Sequence, residues 1–213
     1  MTAASEEAPL DGRSERAKKK RERRRRAVLD TALRVFSEKG YHDTRISDII
    51  EAAGIARGTF YIYFDSKNAI FHELLDLLLE QIRENVVGVD LSEGAAPIRD
   101  QLLVSVSRVL EAFHQNPALA RCVLREAVGI DHEIDKKLES FYAHLHAWVS
   151  VSLENGQRIG LVRQLDTKYV AWCILGSVKQ FLQLVLDRPR ADFDVDHLSQ
   201  VILDFHLQGI LAS

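Results

Sequence analysis

The sequence predicts an all-α protein of about nine helices: an N-terminal three-helix helix-turn-helix domain, then a C-terminal helical bundle. Three observations predict it. Apolar residues recur at three- and four-residue steps, and the two-residue alternation of half-buried strands is missing. The four prolines all fall outside the interiors of the helices so marked. Most of those helices also begin or end at an Asx, Ser, Thr or Gly residue able to cap them.

Residues 1–15 are polar, with Pro9 and Gly12, and read as disordered. A helical pattern starts near Glu22 and places Val28, Leu29, Ala32, Leu33, Val35 and Phe36 on one side. Gly40 ends it, because glycine accepts the positive φ of a helix stop. Thr44 is the expected N-cap of a second helix whose apolar side is Ile46, Ile49, Ile50 and Ala53, and Gly54 closes that helix. A third helix is expected over 57–64. Asp65 and Ser66 cap a fourth that runs to about residue 87 with Phe71, Leu74, Leu75, Leu78, Ile82 and Val86 as its stripe.

Residues 88–96 form a loop, and a fifth helix covers 98–115. Asn116-Pro117 supplies an N-cap followed by proline at the first helical position, opening a sixth helix that Gly129 closes. Asp131 caps a long seventh helix ending within 156–160. Asp166 caps an eighth reaching about residue 187, and Asp194 a ninth reaching about residue 211. The expected organisation is a disordered or basic arm over 1–21, a helix-turn-helix domain over 22–67, and a helical body over 68–213.

Charge is divided along the chain. The net charge of the 213 residues is −3, yet residues 13–67 hold fifteen Lys/Arg against eight Asp/Glu. Residues 68–213 hold thirteen against twenty. A basic head on an acidic body implies a polyanionic partner for the head alone. Cys122 and Cys173 lie in apolar helical surroundings and read as packing residues, and no Cys/His spacing suggests zinc or another cofactor. The N-terminus lacks the apolar core of a secretory signal, and no run of eighteen apolar residues suggests a membrane span, so a cytoplasmic protein is expected. Glycine-rich phosphate loops, nucleophile elbows and metal clusters are all missing, which argues against an enzyme.

Residues 44–67 carry the functional signal. Gly54 supplies the tight turn between two short helices, and Ala52 and Ala53 permit their close approach. Ile55, Phe60 and Phe64 can pack inward, which leaves Arg57, Thr59, Tyr61, Ile62 and Tyr63 on outward or lateral faces. Arg57 can pair with guanine O6 and N7. Thr59 and the phenols of Tyr61 and Tyr63 can reach phosphates, and Ile62 can meet a thymine methyl. Lys67 lies in the first turn of the next helix, where free N–H groups also favour an anion. Upstream, nine of the eleven residues in 16–26 are Lys or Arg. They read either as an arm following the DNA backbone or minor groove, or as a solvated helix start that adds non-specific attraction.

Gly40-Tyr41, Thr44, Ile46, Asp48-Ile49, Ala52-Ala53-Gly54-Ile55, Gly58-Thr59-Phe60-Tyr61, Tyr63-Phe64 and Ser66-Lys67, in this order and register, resemble the TetR family of bacterial transcriptional regulators. The resemblance is dense over 24–72 and elsewhere extends only to helix number and length. It implies phosphate contacts by Thr44, Tyr61, Tyr63 and Lys67, and base-edge contacts by Arg57 with Ala56, Thr59 and Arg45. Ile50 and Ile62 depart from the usual pattern, so base preference does not carry over.

In the body, the eighth helix is apolar almost all round and the ninth repeats apolar residues at heptad-like steps. Packed together they leave a patch for a second subunit, with Gly176, Val178, Phe181, Leu198, Ile202 and Phe205 as interface candidates. The resemblance likewise implies a homodimer on a palindromic double-stranded operator and a pocket for a small-molecule effector. Arg125, Tyr142, Trp148, Tyr169, Trp172 and Gln180 are the pocket candidates. The expected function is a ligand-released repressor. The alternative is an architectural or accessory DNA-binding protein without an effector.

Overall fold

The computed structural model describes residues 12–187 and 194–210. The disorder expected for residues 1–11 and the last residue expected of the ninth helix lie outside them. Nine α-helices occupy the described residues, and the chain divides into two compact units, Met1–Ile70 and Phe71–Ser213.

The first unit holds α1 (Gly12–Lys39), α2 (Ile46–Ala53), α3 (Arg57–Tyr61) and the start of α4 (Lys67–Asn85). α1 begins at Gly12 and not near Glu22, so residues 12–21 are helical where an arm, disordered to residue 15, was expected. The expected start followed the apolar period, but Ala, Lys, Arg and Glu are strong helix formers and sustain a helix without an apolar face. Gly40 ends α1 at φ 84°, its N–H donating to the Phe36 carbonyl at 2.8 Å.

Thr44 is not the N-cap of α2. That place belongs to Arg45, in extended backbone, whose N–H donates to the Asp48 carboxylate at 2.8 Å. The Thr44 hydroxyl instead donates back to the Gly40 carbonyl at 2.7 Å. α3 stops at Tyr61, three residues short of the expected end, and the chain continues as a turn in which Tyr63 and Phe64 N–H both donate to the Phe60 carbonyl. Val28, Leu29, Ala32, Phe36, Ile49, Phe60, Phe64 and Ile70 form the core of this unit.

The second unit contains the rest of α4, then α5 (Ile98–Gln115), α6 (Pro117–Glu126), α7 (His132–Arg158), α8 (Thr167–Asp187) and α9 (Val195–Ile210). Expected caps are made: Asn116 accepts from Leu119 N–H, Asp131 from Ile134 N–H, Asp166 from Lys168 and Tyr169 N–H, and Asp194 from His197 N–H. α8 is the central element, packed by α5, α6 and α7, while α9 packs on α5. Two arginines close helix ends from a distance in sequence. Arg121 donates to the Leu186 carbonyl at 2.8 Å and Arg163 to the Gly209 carbonyl at 2.7 Å, where cations also oppose the helix dipole.

Residues Thr167–Leu186 of α8 are long and apolar enough to cross a membrane by length and composition alone. The absence of an unbroken run of eighteen apolar residues still holds, because the test met here is one of average apolarity. Packing against three neighbouring helices accounts for part of that apolarity.

Candidate nucleic-acid interface

α2 and α3 are held apart by a turn that only a few residue types accept. Gly54 sits at φ 61°, ψ 36°, with its N–H donating to the Glu51 carbonyl at 3.1 Å. Nothing approaches the position a Cβ would take, so the left-handed backbone and not crowding makes glycine the fit. Phe60 and Phe64 then anchor the second arm of the motif, both buried, with Ile55 half-buried. Ala53 is half-buried, but Ala52 is exposed and takes no part in close helix approach.

With Phe60 facing inward, α3 turns its remaining side chains outward. Arg45, Ala56 and Arg57 are exposed, Tyr61 and Ile62 are 42% and 59% exposed, and Thr59 and Tyr63 are half-buried. The Arg57 guanidinium carbon lies 5.9 Å from the centre of the Tyr61 ring, one helical turn on. Such stacking steadies a planar donor fork without using its hydrogen bonds. Arg45, Arg57 and Tyr61 line a shallow concavity of about 540 Å³ together with Ile46, Ser47 and Glu51.

Thr44 and Lys67 occupy other roles than those expected. Thr44 is 1% exposed and its hydroxyl proton is spent on Gly40. Lys67 Nζ donates to the carbonyls of Tyr41, His42 and Thr44 at 2.8, 3.2 and 2.9 Å and lies 4.4 Å from the centre of the Tyr41 ring. Its three donors are therefore taken up by the loop after α1. Both residues position the start of α2, and neither side chain is free for a phosphate.

Ser47 and Glu51 were missed from the sequence, although both sit on the side of α2 opposite Ile49, which was the available signal. Glu51 brings an acceptor suited to a cytosine amino group. Arg25, the tenth residue of the basic run 16–26, reaches from α1 to lie 4.7 Å from the centre of the Phe64 ring. Lys39 pairs with Asp48 at 3.2 Å. The Arg45 N–H and then the Lys39 ammonium hold the Asp48 carboxyl below its ordinary range.

The body candidates divide differently from expectation. Tyr169 and Trp172 are 74% and 50% exposed on the outer side of α8, beside exposed Gly176 and Gln180. Arg125 and Trp148 are exposed, and Tyr142 is half-buried with the Lys179 ammonium 5.3 Å from its ring centre. None of these six residues lines either of the two grooves described for the molecule. The described groove of this unit runs between α4 and α7, lined by Asp76, Arg83, Glu133, Lys137 and Phe141 among others. Of the interface candidates, Gly176 and Phe205 are exposed, Val178, Phe181 and Leu198 are half-buried, and Ile202 is a core residue at 2% exposure. Ile202 was misplaced because a heptad step does not say which of two apolar faces points inward.

Burial, and then the Glu126 carboxylate, push the Cys122 thiol up to about 12, so it is a neutral packing group at any ordinary pH.

A family model described as bacterial regulatory proteins, tetR family, matches residues 28–74, which span α2, α3 and their supports. The chain is 30% identical to the HTH-type transcriptional repressor KstR2 of Rhodococcus jostii over 189 residues, 77% of this chain and 90% of that one. A putative TetR-family transcriptional regulator from Syntrophomonas wolfei superposes with a TM-score of 0.64 at 28% identity, covering 87% of this chain and 93% of its own. FadR of Bacillus subtilis, crystallised with stearoyl-CoA, shares the fold with a TM-score of 0.65 at 23% identity over 86% and 98% of the two chains. With its helix-turn-helix formed and its outward side chains suited to a duplex, the chain belongs to the TetR family and is a DNA-binding transcriptional regulator, not an enzyme.

Proposed function

We propose that the protein is a cytoplasmic repressor that binds a palindromic operator as a homodimer and leaves it when a small molecule occupies the body. The observation that carries the dimer is the outer side of α8 and α9. Tyr169, Trp172, Leu184, Val201 and Phe205 are all exposed there, and at Gly176 nothing stands within 4 Å of the place a Cβ would take. Aromatic side chains beside a bare glycine suit a partner helix at close range better than they suit water. Two-fold pairing would present two α3 helices to half-sites about one DNA turn apart.

Base reading is assigned to Arg57 with Arg45, Ala56 and Thr59, and phosphate contact to Tyr61 and Tyr63, with Ile62 meeting a thymine methyl. Release requires the ligand to favour a dimer geometry that no longer matches both half-sites. The likeness to a relative crystallised with stearoyl-CoA makes that compound a rational first probe.

Fluorescence anisotropy against the protein's own upstream DNA and a scrambled duplex, at physiological salt, tests the reading. A preference of about a thousandfold or more is expected for a specific regulator. Equal affinity for this and for genome-selected fragments would make it an architectural binder. Stearoyl-CoA is then titrated into the preformed complex, and loss of anisotropy marks release.

A further inference from the structure

The N-terminal turns of α1 pack against nothing among the described residues and have an unusual charge pattern. Residues 14–24 are all exposed, while the core of the head begins only at Val28. Within 16–26, Glu22 is the single acid against nine cations. Arg25 and Arg26 are engaged, the first on the Phe64 ring and the second on Asp30 at 3.1 Å. Seven cations upstream of them project into solvent.

Their distribution points to a particular occupant. Lys18, Lys19, Lys20 and Arg21 are consecutive, so they span about 300° of the helix circumference. A helix that rests on a membrane keeps charge on one face and apolar groups on the other, and residues 16–26 have no apolar face. Charge on every side suits a helix with anions on both flanks, which is the arrangement inside a DNA groove between two phosphate walls. Residues 14–24 rise about 15 Å along the helix, equivalent to four or five base pairs at about 3.4 Å each.

The same pattern burdens the helix when nothing neutralises it. Arg16 with Lys20, Lys19 with Arg23, Lys20 with Arg24 and Arg21 with Arg25 are like-charged pairs four residues apart, and such pairs weaken a helix. Phosphates would relieve all four at once.

We propose that these exposed turns of α1 are a second DNA-binding element, a basic helix that enters a groove beside the recognition site and is stabilised there by phosphates on both walls. It rests on the DNA-binding reading above and adds to it a separate, sequence-independent anchor outside α3.

The test uses the full chain and a quadruple variant, Lys18→Gln, Lys19→Gln, Lys20→Gln and Arg21→Gln, whose side chains are all exposed and remote from the core. Affinity for a duplex with flanking base pairs is measured across a salt series, and amide exchange over 14–24 is measured with and without DNA. The expected slope of log affinity against log salt is shallower in the variant by about 0.9 for each phosphate that it no longer neutralises. Exchange over 14–24 in the natural chain should slow on DNA, and the free variant should be the more protected of the two free proteins. An unchanged slope, or no slowing on DNA, overturns the proposal. Binding to phosphatidylserine vesicles that the variant loses while its DNA slope stays unchanged would also overturn it, in favour of a membrane. A shallower slope in a protein with no operator preference would sink the repressor reading and leave this element standing.

Discussion

α3 and α8 both leave aromatic side chains in solvent, but in different company. Around Tyr61 stand Arg57, Arg45, Ser47 and Glu51, donors and acceptors that suit base edges and phosphates. On α8, Trp172 stacks on the His146 ring at 4.5 Å, and Tyr169, Gly176 and Leu184 are exposed along the helix, as Phe205 is on α9. The first surface is built for a polar, charged partner and the second for an apolar one. An exposed aromatic therefore says little by itself; the groups around it identify what covers it.

The strongest way to break the comparison is to remove the anchor of the head alone. Phe60→Ala deletes a ring that is fully buried, and a loss of about 3–5 kcal/mol is expected. Thermal melts followed by circular dichroism should show an early transition, with DNA binding gone. A single unshifted transition would mean that α3 is not held by its core side.

Next in size is the apolar surface. Phe205→Glu puts a charge into the proposed dimer face without touching the core, and a weakening of the dimer by about 2 kcal/mol or more, some thirtyfold, is expected if Phe205 is a central contact. Sedimentation at several concentrations reads it. A variant that dimerises as the natural chain does would move the interface elsewhere.

Arg57→Ala sharpens the polar side. A loss of about 1–3 kcal/mol of discrimination at one position per half-site is expected. A panel of operator variants measures it, and a uniform loss at every position would reassign Arg57 to the phosphates.

The smallest effect concerns Asp48, which joins α1 to α2. Its folded carboxyl titrates below the ordinary value of 3.8, so its contribution is complete above that pH and fades as pH falls through the lowered value. Asp48→Asn should therefore be less stable than the natural chain at neutral pH, with the gap closing below about pH 4. A gap independent of pH would mean that the hydrogen bond to Arg45 N–H does not need the charge.

Much of the head was legible because its signals are local. Gly40 and Gly54 mark backbone turns, and the aromatic run 60–64 exceeds what one buried face can hold. Thr44 and Lys67 were misread for the same reason. Their motif positions were visible, but the carbonyls of Gly40, Tyr41 and His42 that claim their donors converge only in the folded loop. In the body, four Asx caps were read correctly from sequence, while Ile202 was misplaced and none of the six pocket candidates lines a described groove. Caps depend on neighbours three residues away; pockets depend on side chains from several helices.

The chain by itself determined an all-helical protein, the glycine stops at Gly40 and Gly54, four Asx caps and the segment that carries the functional signal, because helix periodicity, capping and glycine backbone preference act over a few residues. Only the tertiary structure decided which apolar face of α8 and α9 is core and which is bare. It also decided that Lys67 braces a loop, and that Arg121 and Arg163 close helices 65 and 46 residues away in sequence. Those outcomes depend on which surfaces meet when the helices pack, and periodicity along one helix does not encode its neighbours.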